Sequence, residues 1–179
     1  METIPGYEIS SWEKGYGDLH LKLDTNSIRI ADWLDKTAIV IGDVEQNHKI
    51  VSESPRSILK KQIELAKSKG FQIKLASELE FYVFDNSYQD AKNNSYINMN
   101  PSNRFREDYS LLNTTKEESY MSLLRKHLSN SGIEVKCTKG EWSLGQQEIN
   151  VKYSDPLTMA DNHSIIKQAA KEIAYQQDM

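Results

Sequence analysis

Four glutamates carry the chemistry this sequence offers most directly. Glu78 and Glu80 stand two apart in the apolar run FQIKLASELEFYVFD, residues 71–85. In an extended strand residues two apart share a face, so Glu78, Glu80 and Tyr82 line one side and Leu79, Phe81 and Val83 the other. Two neighbouring carboxylates in so apolar a strand repel and lose solvation unless a cation or a basic side chain compensates. A strand face that points both acids at water satisfies the same spacing, and spacing alone does not choose between the two. The second pair lies in GEWSLGQQEIN, residues 140–150. Glu141 stands before a turn centred on Ser143 to Gly145, and taken singly it reads as an ordinary loop acid. Glu148 lies in the strand that follows, where Gln146, Glu148 and Asn150 alternate with Gln147, Ile149 and Val151. If this polar face meets that of Glu78 and Glu80, four carboxylates converge. Hard divalent cations such as Mg²⁺ or Mn²⁺ prefer such oxygen ligands. The four His and the single Cys137 are scattered, which leaves no His/Cys cage and assigns any metal to carboxylates.

The elements that must position these residues are marked by punctuation in the chain. Ser54-Pro55 is a helix start, with Ser as N-cap and Pro at the first helical position. The helix runs to about Lys69, carries Leu59, Ile63 and Ala66 on one face, and ends at Gly70. Upstream, Lys36 to Val44 reads as a buried, β-branched strand, and the first fifty residues as short strands and turns. Residues 71–85 supply one or two strands. Residues 86–113, polar and rich in Asn, Ser and Tyr, form a long loop of the kind that is functional or mobile. A second amphipathic helix spans Lys116 to Asn130 and closes at Ser131-Gly132. Strands follow at Ile133 to Thr138 and Gln147 to Tyr153. Asp155-Pro156 then opens a helix with Ile166, Ala169 and Ile173 on one face, continuing to Met179.

Composition bounds the function. The chain has 179 residues, 22 Lys plus Arg against 26 Asp plus Glu, and a net charge of −4. That balance argues against a sequence-independent nucleic-acid binder, which needs a basic face. No stretch approaches 18 apolar residues, so no membrane span is expected, and the N-terminus lacks the pattern of a signal peptide. One cysteine forbids an internal disulfide and fits a reducing cytoplasm. Cys137 has no base at useful spacing and reads as a packed strand residue. His127 and His163 fall on solvated helix faces, Trp12, Trp33 and Trp142 read as packing residues, and Arg104 and Arg106 as solvated loop residues.

The motifs, in order, resemble the glutamine synthetase superfamily. Glu78-Leu79-Glu80-Phe81-Tyr82, Glu141 and Gly145-Gln146-Gln147-Glu148-Ile149-Asn150 carry the likeness. Trp12 with Gly15-Tyr16-Gly17-Asp18, Ser54-Pro55-Arg56 with Leu59, and Asp155-Pro156-Leu157 with Asp161 extend it over nearly the whole chain. The resemblance implies an α+β fold, with a partial β-grasp module in residues 1–50 and the first part of a catalytic domain in 51–179. It implies that Glu80, Glu141 and Glu148 bind the Mg²⁺ or Mn²⁺ nearer glutamate, and that Glu78 serves the metal nearer the phosphates of ATP. It also implies an ATP-dependent ligase reaction, in which glutamate is phosphorylated on its γ-carboxylate and ammonia or an amine then attacks, in a ring-forming homo-oligomer.

Other features depart from the family pattern. Leu144 stands where many members carry Pro, and Lys136 where the bacterial glutamine-forming enzymes often carry Glu. The family's acidic N-terminal loop, its histidine and further glutamate ligands and its substrate arginines have no counterpart in these 179 residues. The expectation is therefore an N-terminal fragment, inactive alone. The E-x-x-x-G-Q-x-E-I-N pattern and the short Gly-Tyr-Gly-Asp run resemble the branch that joins glutamate to polyamines and other amines. A glutamine-synthetase-like protein that acts only by binding a partner is the second expectation.

Overall fold

The computed structural model describes residues 11–13, 15 and 17–179. Tyr16, and with it part of the Gly15 to Asp18 segment, lies outside the described residues, as does the extreme N-terminus. The chain is α+β, as expected. Among the described residues eleven elements follow in order: β1 (His20–Ile30), β2 (Ala38–Gln46), β3 (Lys49–Ile50), α1 (Pro55–Ser68), β4 (Glu78–Tyr82), α2 (Tyr88–Asn93), α3 (Leu111–Thr115), α4 (Glu118–Asn130), β5 (Val135–Gly140), β6 (Gln146–Val151) and α5 (Pro156–Gln176). They form two antiparallel three-stranded sheets, ordered β1-β2-β3 and β4-β6-β5.

Several expectations need correction. The first fifty residues hold a strand of 11 residues, not short strands alone. The strand expected at Lys36 to Val44 is displaced to Ala38–Gln46 and none of its residues is buried. Lys36 stands instead at positive φ in the turn before it. Of residues 71–85 only Glu78–Tyr82 pair as a strand, and Leu75 makes an isolated bridge to Ser154. The long loop contains α2 and the start of α3, because Ser87 and Ser110 accept from the backbone N–H of Asp90 and Asn113 and so cap two short helices.

The helix signals work well. Pro55 and Pro156 open α1 and α5. The Asp155 carboxylate accepts from the Thr158 N–H at 3.0 Å, whereas Ser54 occupies the N-cap of α1 without a side-chain bond. The core lies between the apolar side of the β4-β6-β5 sheet, α4 and α5. It contains Ile149 and Val151, Tyr120, Leu124 and Leu128, and Ile166, Ala169 and Ile173. The Phe81 ring meets Tyr120 edge-on at 6.3 Å, and the Tyr120 hydroxyl donates to the Ala170 carbonyl at 2.8 Å.

One arginine joins the first sheet to the helices. Arg56, on α1, donates to Asp24 of β1 at 2.7 Å, to Asp43 of β2 at 2.7 Å, and to both carboxylate oxygens of Asp161 on α5 at 2.9 and 3.1 Å. Trp33 is buried and donates its indole N–H to Glu172 at 2.5 Å, a second tie from the first sheet to α5. Asp32 accepts from Asn130 at 2.9 Å and contacts His127 Nδ1 at 2.8 Å, a third tie, to the end of α4.

Candidate active-site face

β4 and β6 are neighbours, and their register decides which acids meet. Glu80 pairs across from Glu148, Glu78 from Asn150 and Tyr82 from Gln146. On the other side β5 places Lys139 opposite Glu148 and Cys137 opposite Asn150. Cross-strand partners share a face, so Glu78, Glu80, Gln146, Glu148 and Asn150 line one side of the sheet with Lys139. Leu79, Phe81, Gln147 and Ile149 line the other. Glu141 follows β5 directly, and its N–H donates to the Gln146 carbonyl at 2.8 Å, which holds it beside this face. The turn between them is set by Gly145 at φ +69°, where an added Cβ would lie 2.6 Å from the Val83 carbonyl oxygen. Only glycine fits so close a backbone approach.

The four glutamates thus share one region, but not one tight cluster. Glu78 and Glu80 are exposed, and Glu80 accepts from Gln146 Nε2 at 2.6 Å. The loss of solvation that their spacing suggested is absent here, and their faces point outward. Among the described residues no three His, Cys, Asp or Glu side chains are gathered closely enough to hold a metal ion. The donor set is all oxygen, the chemistry that suits Mg²⁺ or Mn²⁺, so the residue types fit such an ion where the spacing does not yet enclose it.

Glu141 and Glu148 do come together. Glu148 is 8% exposed, and a hydrogen bond with Glu141, together with burial, pushes its carboxyl above the usual range. The same bond, then the Lys139 ammonium, holds Glu141 below it. Their contact thus drives the two carboxyls apart in proton affinity, Glu148 upward and Glu141 downward. Lys139 stands among the acids, with Nζ 2.5 Å from Glu141, 3.1 Å from Asp108 and 4.0 Å from Glu148. Those carboxylates, Glu141 first, raise its own pKa.

Lys139 and Asp108 stand at this face, and motif reading missed both. Lys139 precedes Glu141 by two in an extended segment, and that spacing alone was the available signal. Behind the face, Gln147 donates to buried Glu107 at 2.7 Å. Gly140 is packed so tightly there that an added Cβ would lie 2.0 Å from the Glu107 Cβ. A cleft of about 540 Å³, lined by Leu79, Phe81, Tyr88, Tyr120 and Ala174, is mainly apolar, and of the four glutamates only Glu80 borders it.

Other residues depart from their expected roles. Cys137 is exposed rather than packed, because its register with Asn150 puts it on the polar face. His127 and His163 are half-buried and engaged, His163 with Ser77 at 2.5 Å. Trp33 is buried as expected, but Trp12 and Trp142 are exposed, and the Arg106 guanidinium stacks 3.8 Å over the Trp142 ring. Lys136 pairs with Glu134 at 2.7 Å.

Comparison with known proteins fits this arrangement. The chain is 36% identical over its whole length to gamma-glutamylethanolamide synthetase GlnA4 of Streptomyces coelicolor, of which it covers 39%. It is 33% identical over 98% of its length to glutamate–isopropylamine ligase of a Pseudomonas species, again covering 39%. The chain thus spans about two fifths of these relatives. A solved structure titled as a GmaS/ADP complex superposes with a TM-score of 0.77 over 90% of this chain and 36% of its own, at 21% identity, a likeness of fold. Residues 52–179 match the glutamine synthetase catalytic domain, and the chain belongs to the glutamine synthetase family.

Proposed function

We propose that the protein is an ATP-dependent ligase that joins the γ-carboxyl of glutamate to an amine or ammonia through γ-glutamyl phosphate. The observation that carries this reading is the register of β4, β6 and β5. It places Glu78, Glu80 and Glu148 on one face, with Glu141 at the end of β5 beside them. In this reading Glu80, Glu141 and Glu148 hold one divalent cation, and Glu78 serves a second nearer the nucleotide. Bound cations supply charge neutralisation that lets ATP and glutamate, both anions, approach, and they stabilise the transferred phosphoryl group.

The chain's own residues prepare that face. Gln146 orients the Glu80 carboxylate, and Asn150 donates to Glu148 at 2.7 Å, fixing its second oxygen. Glu148, whose carboxyl the Glu141 bond and burial push up, must be anionic to act as a ligand, so cation capture favours proton release there. The glutamate γ-carboxylate attacks the terminal phosphorus of ATP and ADP leaves. The amine nitrogen then attacks the acyl phosphate carbon, phosphate leaves, and the ammonium proton passes to a base. The two relatives named above, both glutamate–amine ligases by name, support an amine acceptor. A cytoplasmic homo-oligomer is part of the same proposal.

A second reading is a family member that acts by binding a partner without catalysis, favoured by the ammonium of Lys139 standing among the acids. Metal binding and turnover separate the two. In the full-length protein, Mn²⁺ titrated by calorimetry is expected to bind, and Glu80→Ala with Glu148→Ala to abolish the heat and the Mn²⁺-dependent release of phosphate. Binding unaffected by that pair would overturn the ligand assignment, and no phosphate release with any amine would favour the second reading.

A further inference from the structure

We propose that Lys139 is a resident cation of the carboxylate face, which a divalent ion must expel in order to bind; this rests on the metal-ligand reading above. The ammonium is held from three segments. Asp108 approaches from the loop before α3 at 3.1 Å, Glu141 from the end of β5 at 2.5 Å, and Glu148 from β6 at 4.0 Å. The Tyr109 ring closes a fourth side, its centroid 5.3 Å from Nζ. Carboxylates and an aromatic face are the partners an ammonium accepts. Three carboxylates thus converge on a single ammonium, which holds the polar cluster compact.

A divalent ion changes that balance. Its oxygen ligands lie at about 2.0–2.2 Å, closer than an ammonium needs, and a second positive charge within a few ångströms of Nζ is repelled. Glu141 and Glu148 cannot serve both cations in the same place. Lysine suits the role of a displaceable cation, being a compact charge on a flexible four-carbon stem. Its side chain is 35% exposed, so an exit to water is open. Lys139 thereby keeps the acids together before metal arrives and sets the metal concentration at which they are released to it. An arginine would hold them by a rigid fork, and a neutral residue would leave them to repel.

The test reads metal binding in the full-length protein, by the electron paramagnetic resonance signal of free Mn²⁺. Lys139→Met is expected to bind Mn²⁺ about tenfold more tightly, because one opposing charge at short range has been removed, and to melt at a lower temperature than the wild type when metal-free. Lys139→Gln serves if the methionine variant does not fold. Wild-type protein with ¹³C-methylated lysines gives a reading that needs no substitution: Mg²⁺ is expected to shift the Lys139 methyl signal toward that of a mobile, solvated lysine. Unchanged or weaker Mn²⁺ affinity in a folded variant, or a Lys139 signal that Mg²⁺ saturates without moving, would overturn the proposal while leaving the metal site standing. No Mn²⁺ binding by wild type or variants would overturn both.

Discussion

Glu107 shows how much a single buried side chain constrains the face in front of it. It is fully buried, and burial pushes its carboxyl above the usual range. One of its oxygens accepts from Gln147, while its other oxygen and the Gln147 amide oxygen both lack a partner. A proton on Glu107 supplies the missing donor, so acid and amide satisfy each other and pin Gln147, the neighbour of Glu148. Its raised folded pKa means that the unfolded chain ionises first as pH rises. Stability therefore falls as pH climbs from the ordinary glutamate range toward the folded value. Glu107→Gln, which cannot ionise, is expected to remove that loss in urea melts taken across pH, and a steeper loss in the variant would contradict a neutral Glu107. Gly140→Ala drives a methyl into Glu107 and is expected to cost about 3 kcal/mol, the upper end for overpacking, by the same melts. The four glutamates were legible in the sequence because their spacing and family order are local. Glu107 and Asp108 were not, since an acid in a polar loop carries no sign of the strand it will pack against.

Register is the decisive quantity at the level of elements. The alternation of Glu78-Leu79-Glu80 and Gln146 to Val151 fixed which residues share a face, but not that β4 and β6 would be adjacent, which is a long-range pairing. Ser-Pro and Asp-Pro mark the helix starts, and α1 and α5 open at Pro55 and Pro156, whereas α5 stops at Gln176 instead of continuing to Met179. The apolar run of residues 71–85 reads as strand throughout, yet Phe71 and Ile73 are exposed and unpaired with a neighbouring strand. The loop at 86–113 was undercalled because short helices capped by Ser87 and Ser110 leave no periodic pattern. Arg56 explains why two separated motifs, Ser54-Pro55-Arg56 and Asp155 to Asp161, belong together: α1 and α5 are tied through the Arg56–Asp161 pair. Its side chain is 11% exposed, so Arg56→Ala takes the guanidinium from Asp24 and Asp161, while Asp43 keeps Lys60, and is expected to cost about 3 kcal/mol, the low end for breaking a buried pair. The Arg56 guanidinium holds the Asp24 carboxyl below its usual range. Lys60 and Arg56 do the same for Asp43 against the opposing effect of burial. These folded values are depressed, so the stabilisation is complete above the ordinary aspartate range and is lost as pH falls through them. Acid unfolding of Arg56→Ala is expected to lack that component, and an unchanged acid limb would contradict the role given to Arg56.

At the scale of the whole molecule, the described chain presents apolar side chains on β1, at α3 and in the turn between β5 and β6. Leu21, Leu23, Ile28 and Ile30 on β1, Tyr109, Leu111 and Leu112 near α3, and Trp142 are all more than half exposed. Surface of this kind marks contacts with other protein, in keeping with a chain that spans two fifths of its relatives and with the self-association proposed above. No helix among the described residues is long and apolar enough to cross a membrane. The central claim is that the acidic face serves a glutamate–amine ligase. It is tested most directly by incubating the full-length protein with ATP, glutamate, Mg²⁺ and in turn ammonia, ethanolamine, isopropylamine and a polyamine, and following γ-glutamyl amide by mass spectrometry. An amide product with ADP and phosphate in equal amounts is expected for at least one amine, and its loss in Glu148→Ala. Absence of amide with every acceptor, from a folded protein that binds Mn²⁺, would contradict that claim.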